Sequence, residues 1–88
     1  MPIEILRVSA RFEKNYRKLE KRIRDLAKEK EFIFCKDPFD PRLETHKLHG
    51  KDKEHWAYSV DRRYRIKFLF LTEHQVLYLD IGTHDIYS

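Results

Sequence analysis

Apolar residues at helical spacing run through the first third of the chain without interruption. Phe12, Tyr16, Leu19, Ile23 and Leu26 recur at intervals of four and three, and the pattern continues to about Phe34 with lysines and arginines between. Ser9 precedes the stripe as an N-cap, because its hydroxyl can accept an orphan N–H of the first turn. Asp37-Pro38 and Asp40-Pro41 end it. One helix over 9–34 would be ~39 Å long at 1.5 Å per residue. A compact domain of 88 residues has a radius of gyration near ~12 Å, so that helix would overhang its own domain. The stripe therefore predicts two helices, breaking near Glu20–Arg22, although no Gly or Pro marks the break.

The rest of the chain reads with a period of two. Residues 3–8 alternate loosely as a short strand, and 35–45 form a Pro-punctuated loop. His46–His49 is a short strand before Gly50, residues 51–54 are a polar turn, and Trp56–Val60 is the next strand. From Tyr64 onward one face carries Tyr64, Ile66, Phe68 and Phe70, and the other Arg65, Lys67 and Leu69. Glu73-His74 makes a turn before the apolar strand Val76–Ile81. Strands joined by such short turns predict an antiparallel meander. The expected fold is an α+β two-layer domain spanning 1–88, with an N-terminal strand and a helical hairpin packed on an antiparallel β-sheet.

Composition narrows the function classes. Hydrophobic residues make up 41% and aromatics 14%, too large an apolar load for a disordered chain. The single Cys35 excludes an internal disulfide, and no apolar run approaches the ~18 residues of a membrane span. The N-terminus lacks the charged-then-apolar plan of a signal peptide, so a cytoplasmic protein is expected. With only Gly50 and Gly82 there is no Walker loop and no dinucleotide fingerprint, which argues against nucleotide-dependent enzymology. Nineteen basic against fifteen acidic residues give a net charge of +4, a weak pointer to nucleic acid. The excess is concentrated in residues 7–30 and around the strand beginning at Tyr64.

Several side chains could carry chemistry. Arg65 and Lys67 share one strand face and could hold phosphates in a fixed geometry, or form an ordinary solvated face. Of the five histidines, His46 and His49 lie three apart at a short strand and so point to opposite sides, which disfavours a shared metal, and no zinc site is expected. His74 sits in a turn and is expected to be solvent-exposed. His84 follows Gly82-Thr83, where backbone freedom can aim a side chain. Cys35 reads as a helix-end core residue.

Several segments taken in order resemble a known family. These are the Phe12-x-Lys14-x-Tyr16-x-Lys18-Leu19 helix, the Asp37-Pro38-Phe39-Asp40-Pro41-Arg42-Leu43 loop and His46-Lys47-Leu48-His49-Gly50. Trp56-Ala57-Tyr58-Ser59, Tyr64-Arg65-Ile66-Lys67-Phe68 and Ile81-Gly82-Thr83-His84-Asp85-Ile86-Tyr87 follow. Together they resemble the RelE/ParE superfamily of type II toxin–antitoxin toxins, on its RelE/StbE and YafQ-like side. The resemblance implies a microbial RNase-like (RelE-like) fold and an mRNA interferase acting in the ribosomal A site. It also implies cleavage by ribose 2′-OH attack with neither metal nor cofactor, and a cognate antitoxin, mRNA and the ribosome as partners. By position it implies His84, His46, Arg65 and Tyr87 as catalytic residues. Lys67, Arg63, Lys47 and His49 are then the RNA-binding candidates, and Asp61 a possible acid or base. Two rivals on the same fold are a ParE-like DNA gyrase inhibitor and a non-catalytic RNA- or partner-binding module.

Overall fold

The computed structural model describes residues 2–50, 54–83 and 86. Five strands form one sheet in the order β1-β5-β4-β3-β2: β1 (Ile5–Val8), β2 (His46–Lys47), β3 (Trp56–Ser59), β4 (Arg65–Thr72) and β5 (Gln75–Gly82). Strands β2 to β5 make the expected antiparallel meander. The N-terminal strand joins it in parallel, Ile5 opposite Gln75 and Val8 opposite Tyr78, so the sheet is mixed. A parallel neighbour needs a long crossover. Here the helical hairpin carries the chain away from β1 to the opposite edge of the sheet.

The hairpin forms as its stripe requires. Ser9 Oγ accepts from Phe12 N at 3.0 Å and donates to Leu79 O at 2.8 Å, so one hydroxyl caps α1 (Ala10–Lys18) and ties it to β5. Leu19 and Glu20 are both extended, and α2 (Lys21–Lys36) starts immediately after. The break thus falls in or next to the expected place without Gly or Pro, and Tyr16 Oη donates to Arg24 O across it at 3.2 Å. On α2, Ile23, Ala27 and Phe34 are buried. Phe34 stacks on Tyr58 at 4.7 Å between ring centroids and meets Phe68 edge-on at 4.9 Å. These rings, with Tyr78, Ile66 and Val76, form the core between helices and sheet. Each buried ring removes a large apolar area from water, and edge-on or offset ring pairs add to that burial.

Three local expectations are revised. The second strand is only His46–Lys47, and His49 lies beyond it in an exposed stretch before Gly50, whose φ is +80°. Helix α2 runs past Phe34 to Lys36, with half-buried Cys35 in its last turn, where burial raises the thiol's pKa. His74 is half-buried rather than simply exposed. Its Nδ1 is 2.9 Å from Pro2 O and its carbonyl accepts from Glu4 N at 2.7 Å. The β4–β5 turn therefore anchors the entry into β1.

Candidate functional site

The strand register aligns residues far apart in sequence. His46 pairs with Ala57, Ala57 with Lys67, and Lys67 with Asp80, one row across four strands. Cross-strand partners share a sheet face. With ~4.8 Å between strands, His46 and Lys67 stand about 10 Å apart. The next row holds Ser59 opposite Arg65 and Arg65 opposite Gly82. Ile66 and Phe68, on the helix side, are 1% and 0% exposed, while Arg65, Lys67 and Leu69 are half-buried on the other face. The alternation expected from the sequence therefore places the Arg65–Lys67 pair on the face away from the core.

Asp80 belongs to this row because of a bulge. Lys67 pairs with Asp80 but Phe68 pairs with Tyr78, which leaves Leu79 as an extra residue in β5. In uninterrupted pairing Asp80 would share the core face with Tyr78. The added residue re-aims it toward Lys67, as bulges do beside functional sites. Its Oδ1 accepts from Asn15 Nδ2 at 2.7 Å and from Ile81 N at 2.8 Å, and the residue is 9% exposed.

His46 is oriented by the residue two before it. Its Nδ1 lies 3.0 Å from Glu44 O. A carbonyl only accepts, so Nδ1 carries the proton and Nε2 is the nitrogen that can take one. Glu44 has φ +53° and ψ +40°, a left-handed conformation uncommon outside glycine, and its Oε1 accepts from Ser59 Oγ at 3.2 Å. The bend at Glu44 thus sets the direction in which the chain enters β2.

Arg65 is held by its own turn. Its Nη1 donates to Asp61 O and, at 3.1 Å, to Tyr64 O. Asp61 Oδ1 accepts from Arg63 N at 2.8 Å and Tyr64 N at 2.7 Å, so this carboxylate shapes the β3–β4 turn. Lys67 Nζ donates to Ile86 O at 3.3 Å. Lys47 is exposed at the sheet edge, and Arg63 is exposed with its guanidinium 5.9 Å from the Tyr64 ring. His84 and Tyr87 lie outside the described residues. Gly82 has no positive φ, but a Cβ there would come within 2.7 Å of Ile86 Cγ2, so the position is limited by space rather than by backbone freedom.

Of the sequence-derived set, the register puts His46 and Lys67 in one row with Arg65 one pleat away, while Lys47, His49 and Arg63 are exposed outside that row. Sequence reading missed Asp80, Asn15, Ser59 and Glu44. A cavity of about 270 Å³ is bounded by Ser9, Arg11, His55, Lys67, Leu79 and Asp80. Another, of about 350 Å³ and apolar, lies at the far end of β4 around Phe39 and Phe70 and includes none of the acid–base candidates. Among the described residues, no three His, Cys, Asp or Glu side chains are grouped to hold a metal ion, and no helix is long and apolar enough to cross a membrane.

No protein-family model matches the chain, and no curated protein matches it in sequence. Solved structures do match. A YoeB/ParE toxin from Agrobacterium tumefaciens superposes with a TM-score of 0.78 at 12% identity, covering 92% of this chain and 99% of that one. YafQ from E. coli gives 0.71 at 21% identity, with 92% and 93% covered. A chain of the toxin–antitoxin complex RelBE2 from Mycobacterium tuberculosis gives 0.78 at 20% identity, with 96% and 100% covered. The fold of this chain is the one these toxins share.

Proposed function

We propose that this protein is the toxin of a type II toxin–antitoxin pair and a ribosome-dependent mRNA endoribonuclease. The observation that carries the reading is the cross-strand row: His46 and Lys67 on one face, with Arg65 one pleat away. Cleavage by 2′-OH attack needs a base for the hydroxyl, an acid for the leaving 5′-oxygen and cations for the charge on the phosphorane. Nε2 of His46 can take or return a proton. Arg65 and Lys67 supply fixed positive charge, and an arginine already oriented by two carbonyls loses little freedom when it meets a phosphate. His84 is the second proton-transfer group in this proposal and Tyr87 a further contact to the reacting nucleotide. Because the M. tuberculosis neighbour is described as a toxin–antitoxin complex, a cognate antitoxin is the expected protein partner.

The test is primer extension on cellular mRNA after brief induction, for the wild type and for His46→Ala and His84→Ala. New ends bearing a 5′-OH, greatly reduced in either variant while the protein stays folded, support the reading. Ends bearing a 5′-phosphate point to attack by water and overturn the mechanism. Intact mRNA with inhibited DNA supercoiling moves the assignment to a gyrase inhibitor.

A further inference from the structure

We propose that the cavity between the start of α1 and the β5 bulge is a nucleobase subsite, in which Asp80 selects an amino-bearing base such as cytosine over uracil. The proposal rests on the RNA-cleaving reading above and identifies what the adjoining substrate nucleotide must look like. Asp80 is a carboxylate 9% exposed, turned out of the core row by the extra residue Leu79. Its Oδ1 is fully occupied by Asn15 Nδ2 and Ile81 N. Oδ2 makes no hydrogen bond among the described residues, although the residue lines the cavity. A carboxylate oxygen accepts and never donates. A cytosine N4 amino group matches it, as carboxylates commonly read cytosine. Uracil places the O4 carbonyl at the same position, and two acceptors facing each other in a confined site repel. Leu79 offers an apolar wall for the base, and Arg11 and Lys67 bring positive charge to the nucleotide's phosphate. Lys67 joins the cavity to the row containing His46, so a base seated here belongs to a nucleotide next to the proposed reaction centre.

Asp80→Asn separates recognition from structure. The amide oxygen can still accept from Asn15 and Ile81, while an NH₂ replaces the open acceptor. The experiment titrates cytidine and uridine 5′-monophosphates into the full chain and follows backbone amide shifts. CMP is expected to move the Lys67, Leu79 and Asp80 amides and to bind on the order of tenfold more tightly than UMP, the worth of one hydrogen bond to a charged group. Asp80→Asn is expected to keep the wild-type spectrum elsewhere and to abolish or reverse the preference. Equal binding of CMP and UMP, shifts confined to other residues, or an unchanged preference in Asp80→Asn overturns the subsite. A cavity that serves instead to hold a cationic side chain of a protein partner gives no shift with either nucleotide, with the same consequence. If mRNA is cut with 5′-OH ends but CMP and UMP bind alike, the subsite alone fails. If CMP is preferred but no mRNA is cut, the nuclease reading alone fails.

Discussion

The phenol oxygens of Tyr58 and Tyr78 lie 2.7 Å apart inside the core, joining β3 to β5 over the intervening β4. Both residues are 0% exposed. Removing one hydroxyl leaves its partner buried and unsatisfied, so Tyr58→Phe or Tyr78→Phe is expected to cost about 1–3 kcal/mol. Removing both leaves no orphan, and the double variant should be destabilised by less than the sum of the two. A double-mutant cycle in urea measures the coupling.

The same pair predicts a response to base. Burial, first of all, raises both phenol pKa values above the usual tyrosine value. The unfolded chain releases these protons from about pH 10, whereas the folded chain holds them, so the unfolded state binds fewer protons there. Stability contributed by the neutral pair is fully present below pH ~10 and falls as pH rises beyond it. Unfolding free energy measured between pH 9 and 11 should decline, and the Tyr58→Phe/Tyr78→Phe double variant should show a shallower decline. An equal slope in that variant would assign the effect to other groups.

Much of the architecture was readable from periodicity because burial is imposed residue by residue. The Phe12-to-Phe34 stripe and the Ile66/Phe68 alternation each mark a face that must meet the core. Chain length alone marks the helix break, since extended Leu19 and Glu20 carry no special residue type. The parallel pairing of β1 depends on contacts between residues about seventy positions apart, such as Glu4 N with His74 O, which no local pattern encodes. Asp80 was hidden for a related reason. In strict alternation it falls on the core side, and only the Leu79 bulge moves it. Asn15, its partner from α1, is 65 residues away.

Asp40 and Arg42 give a test at low pH. The Arg42 guanidinium donates to both Asp40 oxygens, at 3.0 and 2.8 Å, and Arg42 N donates to Oδ1 at 2.9 Å. The side-chain hydrogen bond, above all, holds the Asp40 carboxyl down at about 2. A depressed carboxyl contributes stability above its unfolded value near 4, which is lost as pH falls toward 2. Carboxyl NMR should show Asp40 titrating near 2, and Arg42→Ala should move it clearly upward. A carboxyl that titrates normally in the wild type would rule out the bond in solution.

Ser9 is expected to matter more than an ordinary helix cap. An N-cap Ser→Ala change typically costs ~1 kcal/mol. Here the hydroxyl also donates to Leu79 O, in the bulge that turns Asp80 toward Lys67. Ser9→Ala should therefore lose about 1–2 kcal/mol in denaturant unfolding. Ser9→Thr, which can keep both bonds, should recover most of it. A loss confined to a few tenths of a kcal/mol would mean that neither the cap nor the bond to β5 contributes.

Arg65 carries two roles that one pair of substitutions can separate. Its guanidinium donates to Asp61 O and Tyr64 O, so truncation removes ties that close the β3–β4 turn as well as a cation. Arg65→Ala should lose roughly 1 kcal/mol of stability from those bonds. It should also lose about 10²-fold or more in single-turnover mRNA cleavage, from the charge missing opposite the phosphorane. Arg65→Lys keeps the charge but not the planar fork, and an ammonium is a poor substitute where two directions must be satisfied at once. It should recover only part of the rate. The two effects come apart on dilution of denaturant: a stability defect vanishes when the folded fraction is restored, whereas a transition-state defect persists in fully folded protein. Folded Arg65→Ala that cleaves at the wild-type rate would remove Arg65 from the reaction and leave it as a turn-closing residue alone.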